Sequence, residues 1–441
     1  MGMCRYLMMP FFLFCADVVA AAGIETIANF PVHKSNLNVF STPVALRDGH
    51  LFTVNIELSG ENKLVGLVTV LRHYVRGNDE KYSLFNRMVI EDKTINDPYH
   101  TQASVGLDES GYVHVAYNMH NMPWQYKRSA SPLSISNMKF YGQKLNVGDR
   151  LMVKVANKTN FPSLGSAAIP GNQITYPAFF NDRNNKLYLS YRFALRPDRP
   201  FRKRDFAGAI AHYEVSTQEW KNIGGPVAVG SGDHSGGNVV ELNPFIYHPN
   251  SAVYLPRLFF DTDNTLHVSW FWRLIGAGAD VSRLSYAYSK DKRFFYSIKN
   301  RLQLPIGLDA ARVSKLDARK YSPLSSLVVV DGTPYIGYQR YQGKRFLTWF
   351  DSVKGRWVER LSPNGASIFM AGKEGVLYAF ATGVKVLKRS PGNSTWKVVA
   401  ETKNKENFCH PKVINTNNES FIIHATSCTG DKVEIYTMEW N

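Results

Sequence analysis

Four residues of this chain have types and spacings that suit proton transfer beside a carboxylate: His100, His120, Tyr176 and Arg192. His100 stands in the run Asp97-Pro98-Tyr99-His100-Thr101-Gln102, and His120 follows in Asn118-Met119-His120. Tyr176 lies in Ile174-Thr175-Tyr176-Pro177, and Arg192 closes the pair Tyr191-Arg192. A uronate polysaccharide can be cut by β-elimination. A base removes the C5 proton, a positive or hydrogen-bonding group stabilises the charge growing on the adjacent carboxylate, and an acid protonates the departing oxygen at C4. Histidine and tyrosine can exchange these protons, and arginine can grip the carboxylate through a bidentate fork. Hydrolysis of a glycoside instead needs two carboxyl groups across the bond, and at these positions Asp97 is the only acid nearby. The repeated Ser-x-Asp-x-Gly-x-x-Trp boxes of a sialidase do not occur.

Such residues act together only if the chain gathers them, and a repeated unit supplies the means. It consists of an apolar strand, a tight turn rich in Asp, Asn and Gly, and a second alternating strand. Seven copies turn at Asp48-Gly49, Asp108 to Gly111, Asn181 to Asn185, Asp261 to Asn264, Asp331-Gly332, Gly372 to Gly375 and Asn415 to Asn418. Period-two alternation on both sides of such a turn predicts a β-hairpin. A second hairpin follows most units, often with a tryptophan just after its turn, as at Trp220, Trp357 and Trp396. Two hairpins make one sheet. The pattern therefore predicts an all-β fold, a seven-bladed β-propeller of four-stranded antiparallel blades. No stretch of helical period competes with it. Blades two to five are the longer ones, and their extra length is expected in loops that carry function. His114 and His267 fall inside strands and are expected to face a sheet rather than react.

In each first hairpin, the start of one strand and the end of the next lie together. His100 with Asn118 and His120, Tyr176 with Arg192, Tyr254 with Arg273, and Arg340 all occupy such ends. On a propeller these ends ring one mouth of the central channel. Tyr254, Arg273, Asn118 and Arg340 are the expected substrate-binding residues around the reacting set.

Composition sets the partner. The 441 residues carry 52 Lys+Arg against 36 Asp+Glu, a formal net charge of +16. Aromatic residues make up 13%, a density that excludes a disordered chain. Residues 1–22 combine Arg5, an apolar stretch through Phe14 and the exit Ala20-Ala21-Ala22, which reads as a secretory signal peptide. Residues 23–441 are then a single catalytic propeller, secreted to the periplasm or outside the cell and expected to be a monomer. Past residue 22 nothing approaches the roughly 20 apolar residues of a membrane span. Export argues against nucleic acid as the anionic partner and for an acidic polysaccharide.

The run Asp97 to Gln102, His120 twenty residues after His100, and Tyr176 and Arg192 sixteen apart resemble the propeller-fold ulvan lyases of marine bacteria, most specifically over residues 97–193. The resemblance implies cleavage of ulvan, a sulfated polymer of rhamnose 3-sulfate and uronic acid, leaving an unsaturated uronyl end. It implies His100 and Tyr176 as the base and acid, in either order, Arg192 as the carboxylate neutraliser, and His120 as a supporting residue. A further tyrosine of the family's site falls at Tyr254, with Tyr247 as a competitor. No cofactor is implied for catalysis. A glycoside hydrolase and a non-catalytic propeller that binds anionic polysaccharide are the alternative readings.

Two cysteines follow the signal segment, Cys409 and Cys428, nearly opposite each other across the last turn. In an exported protein that placement suits a disulfide. Cys409, Cys428 and His410, with His248 as the candidate fourth ligand, also suit Zn²⁺, and the related lyases are similar in carrying a structural zinc. Both outcomes stay open at this point.

Overall fold

Every one of the seven turn motifs lies between two antiparallel strands in the computed structural model. The structure describes residues 23–34, 40–59, 66–94, 100–122, 124–142, 172–194, 205–227, 243–275, 281–313, 321–340, 343–402, 408–415 and 420–439. The expected signal segment 1–22, Asp97 and the last turn at 416–419 lie outside them. The hairpins pair Val44–Arg47 with His50–Leu58, Ser104–Leu107 with Val113–Ala116, and Asn172–Asn181 with Leu187–Ala194. They continue with Ser251–Phe260 on Leu266–Leu274 and Tyr321–Val330 on Thr333–Arg340. The last two are Ile368–Ala371 on Leu377–Ala381 and Phe408–Asn415 on Ser420–Ser427.

The turns owe their shape to the residues read from the sequence. Asp48 and Gly49 have φ of 49° and 76°, and Asp331 and Gly332 have 48° and 71°. Both are two-residue turns with positive φ at each position, which matches the twist of the flanking strands. Three longer turns share another device. Asp108 Oδ1 accepts the backbone N–H groups of Ser110 and Tyr112 at 3.0 and 2.9 Å. Asp182 does the same for Asn184 and Lys186, and Asp261 for Asp263 and Thr265.

Two of these aspartates also anchor a buried histidine, as expected for His114 and His267. His114 Nε2 lies 3.0 Å from Asp108 Oδ2, and its Nδ1 lies 2.6 Å from the Tyr126 hydroxyl. His267 repeats this with Asp261 at 3.0 Å and Tyr286 at 2.7 Å. A carboxylate only accepts, so Nε2 carries the proton and Nδ1 accepts from the tyrosine. Burial holds the His114 pKa below the ordinary imidazole value, in keeping with a neutral ring.

Among the described residues, five sheets have four antiparallel strands each. The third and fourth hairpins belong to one ten-stranded sheet, joined by a short parallel contact between Phe206 and Ala252. The first described strand, Ile24–Pro31, pairs with Lys432–Glu439 and completes the sheet of the last hairpin. Among the described residues no helix is long and apolar enough to cross a membrane.

The core lies between consecutive hairpin units. Phe52 and Val54 pack with Val105 and Val113, Tyr126 with Ile174 and Tyr191, and Ile210 with Leu258 and Trp270. Phe271 and Tyr286 meet Leu327 and Tyr338, Val328 meets Phe369 and Leu377, and Phe380 meets Phe421 and Ile423. A further cluster joins Ile422 and Ile435 of the last unit to Val44 and Leu51 of the first. Each large side chain so buried contributes about 1.5–3 kcal/mol. The first strands of all seven hairpins, represented by Val44, Val105, Phe179, Leu258, Leu327, Phe369 and Val413, line one cavity of about 870 Å³.

Candidate active site

Thr175 organises the site. After the strand Val113–Ala116 the chain passes Asn118 and Asn121 with φ of 57° and 56°, a region asparagine tolerates. This reversal lays His120–Met122 against the first strand of the third hairpin, with His120 opposite Thr175. Thr175 Oγ1 accepts from the Asn121 backbone N–H at 2.9 Å and donates to Asn121 Oδ1 at 3.1 Å. Thr175 is also opposite Arg192 on its other side. One strand position thus sets the register of both His120 and Arg192.

The next residue, Tyr176, has φ of 58° and sits in a bulge where pairing skips from Thr175 to Ala178. A bulge re-aims a side chain out of the ladder. Positive φ at such a residue costs about 1–3 kcal/mol, and strain of this kind gathers at functional sites.

The side chains form one cluster. The rings of His100 and His120 stack at 4.0 Å with 8° between planes. Tyr176 lies 6.1 Å from His100 and 6.5 Å from His120 between ring centres. Phe40 packs 4.4 Å from Tyr176 and is tied down by its N–H donating to Gln102 Oε1 at 3.0 Å. The Arg192 guanidinium carbon lies 4.7 Å from the Tyr176 ring, 4.5 Å from Phe206 and 4.9 Å from Tyr254. Arg192 is 3% exposed, and its Nε has no hydrogen-bond partner among the described residues. No carboxylate among them pairs with it.

Tyr254 joins the cluster 6.1 Å from Tyr176. Its hydroxyl accepts from Arg273 Nη1 at 3.2 Å. Burial alone would raise this phenol, yet the guanidiniums of Arg192 and Arg273 outweigh it and hold the pKa below the ordinary tyrosine value. Tyr247, the competitor, instead donates to Asp205 Oδ2 at 3.3 Å.

The other expected residues divide. Asn118 is buried at the reversal before His120. Arg273 reaches the cluster through Tyr254. Arg340 does not: it pairs with Glu359 at 2.5 Å and lies 4.3 Å over Phe346, toward the outermost strand of its sheet. Phe40 and Phe206 were not expected. Their apolar character reads as core, and no spacing in the sequence links them to Tyr176 or Arg192.

Cys409 and Cys428 form a disulfide with Cα atoms 4.8 Å apart. Of the two outcomes left open, the structure takes this one. A sulfur bonded to sulfur offers no thiolate, so the set Cys409, Cys428 and His410 does not fit zinc as folded here. His248 directs Nδ1 to the Pro249 carbonyl at 2.7 Å. Among the described residues no group of three His, Cys, Asp or Glu side chains could hold a metal ion.

The sequence profile of the BNR repeat-containing family matches residues 66–363. The chain belongs to this family. No curated protein matches it by sequence. Among solved structures, polysaccharide lyase Uly1 superposes with a TM-score of 0.64 at 12% identity, over 94% of this chain and 100% of that one. A PL25 ulvan lyase bound to -[GlcA(1-4)Rha3S]- superposes with a TM-score of 0.60 at 10% identity, over 94% and 95% of the two chains. A second PL25 ulvan lyase structure superposes with a TM-score of 0.59 at 11% identity, over 96% and 95% of the two chains. At these identities the likeness is one of fold. It agrees with the resemblance to ulvan lyases drawn from the sequence.

Proposed function

We propose that the chain is an exported polysaccharide lyase that cleaves a sulfated rhamnose–uronate polymer of the ulvan type by β-elimination. The observation that carries the reading is Arg192: a buried guanidinium, ringed by Tyr176, Phe206 and Tyr254, whose Nε finds no partner and which has no carboxylate beside it among the described residues. Leaving such a donor buried and unmet is costly. A uronate carboxylate entering the mouth would satisfy it and lose its own charge penalty there.

The neighbouring groups then divide the proton work. His100 and Tyr176 are the base and acid, one taking the C5 proton and the other protonating the leaving oxygen at C4. His120 stacks on His100 and fixes its ring plane. Tyr254 and Arg273 add positive or hydrogen-bonding character around the carboxylate. A glycoside hydrolase would need two carboxyl groups across the bond, and none of the residues gathered in this cluster is acidic. The fold shared with ulvan lyases and the positive net charge support an anionic glycan as substrate.

The seven hairpin units belong to this proposal as seven blades around a channel. Its support is the chain of apolar clusters that returns from the last unit to the first, and the cavity lined by all seven first strands.

The test is to incubate the protein with ulvan and follow ultraviolet absorbance from the new C4–C5 double bond. A steady rise is expected, abolished in His100→Ala and Tyr176→Phe. No rise on ulvan or any other uronate would end the lyase reading. Full activity in both variants would move the site elsewhere.

A further inference from the structure

The cavity lined by the seven first strands opens among the hairpin turns, where Arg47, Asp48, Asp182 and Arg183 form part of its wall. His100, His120, Tyr176, Arg192 and Tyr254 do not line it. It is therefore a second site, at the other end of the strands from the catalytic cluster.

The charges at its rim are engaged within the protein. Asp182 accepts two backbone N–H groups and the Asn264 side chain at 3.2 Å. Arg183 donates to the Asp261 carbonyl at 2.9 Å, and Arg76 pairs with Glu80. Deeper in the wall stand two more cations, Arg257 and Lys412. Arg257 stands on the first strand of the fourth hairpin and Lys412 on that of the seventh, each about four residues before its turn. Ser326, 8% exposed, lines the same cavity, and its Oγ has no hydrogen-bond partner among the described residues.

Two cations and an unmet hydroxyl lining one cavity are the donor set of an oxyanion site. We propose that this cavity binds a sulfate-type oxyanion, with Arg257 and Lys412 as its cationic contacts and the Ser326 hydroxyl as a further donor. Burial pulls Arg257 down to about 10 and Lys412 well below the ordinary amine value, with Arg257 adding to the effect on Lys412. The cavity is far larger than one sulfate ion, so the oxyanion can be free or carried on a sugar. The site does not depend on the lyase reading.

Titration calorimetry of the full chain tests this, with sodium sulfate in one arm and rhamnose 3-sulfate in the other, at constant ionic strength set by chloride. Saturable binding of either is expected, and the arm that binds identifies the source of the oxyanion. Lys412→Met should weaken it about tenfold or more, the size of one charge-assisted contact. Ser326→Ala, which leaves both cations in place, should weaken it a few-fold without altering the melting temperature measured in chloride. Arg192→Lys should leave the affinity unchanged. No saturable binding in either arm would overturn the proposal. So would affinity that survives Lys412→Met and Ser326→Ala but is lost in Arg192→Lys, since the anion would then sit in the catalytic mouth.

Discussion

Among the described residues Arg192 is held by aromatic faces rather than by an acid, and this decides what it can do. Three rings at 4.5 to 4.9 Å and a hydrogen bond to the Tyr254 side chain keep its position, while its Nε is without a partner among the described residues. Lysine cannot reproduce the planar fork. Arg192→Lys should therefore lower kcat/KM on ulvan by on the order of 10²–10³, the loss seen when one stabilising donor is removed, while the melting temperature stays near that of the parent. Unchanged kcat/KM would remove Arg192 from the reaction. Tyr254 offers a second check. Arg273→Gln should raise its phenol toward the ordinary tyrosine value, read as the alkaline ultraviolet titration that Tyr254→Phe abolishes. His100, His120, Tyr176 and Arg192 were legible in the sequence because all occupy strand ends of one kind. Phe40 and Phe206 were not, since an aromatic that walls a site looks the same as one that fills a core. The pairing of Arg340 with Glu359 was not legible for a related reason: Glu359 lies on an outer strand, and no local pattern links the two.

The hairpins were the most legible elements, because an Asp-Gly or Asp-to-Asn turn between alternating strands has few other structures open to it. Their bulges were less so. Pairing skips two residues at Tyr176-Pro177, at Leu255-Pro256, at Pro323-Leu324 and at His410-Pro411. A proline cannot donate to the ladder, which suits it to such a place. By register His410 stands where Tyr176 stands in its own hairpin. The merging of the third and fourth hairpins through Phe206 and Ala252 leaves no mark in the sequence, since it needs only one short parallel contact. Two predictions belong to these elements. Asp261→Asn weakens a turn that satisfies two backbone N–H groups and the buried His267, and should cost about 1–3 kcal/mol in urea unfolding. Replacing Cys409 and Cys428 by serine removes a crosslink across a sequence separation of 19 and should cost about 3 kcal/mol. Unfolding free energies equal to the parent's would contradict both assignments.

Burial of histidine gives the whole molecule an acid limit. Burial lowers His73 and His212 to about 4 and His424 to about 3, with His50, Lys186 and Lys412 respectively adding to it. Above about pH 6.5 these rings are neutral in both states. Below it the unfolded chain takes up protons that the folded chain refuses until near pH 4, so stability falls as pH falls through that window. The urea midpoint should be clearly lower at pH 4.5 than at pH 7.5, and equal midpoints would mean that these rings are not buried as described. The positive charge, legible from composition alone, gains a place from the fold: Arg192 and Arg273 at one end of the strands, Arg257 and Lys412 lining the cavity that opens at the other. The proposal that the first of these ends eliminates rather than hydrolyses is tested most directly by the mass of the products. Digestion of ulvan should give fragments whose masses sum to that of the parent chain, each new non-reducing end lighter by one water than a hydrolytic end. Fragments whose masses sum to the parent's plus one water for every bond cut would contradict it.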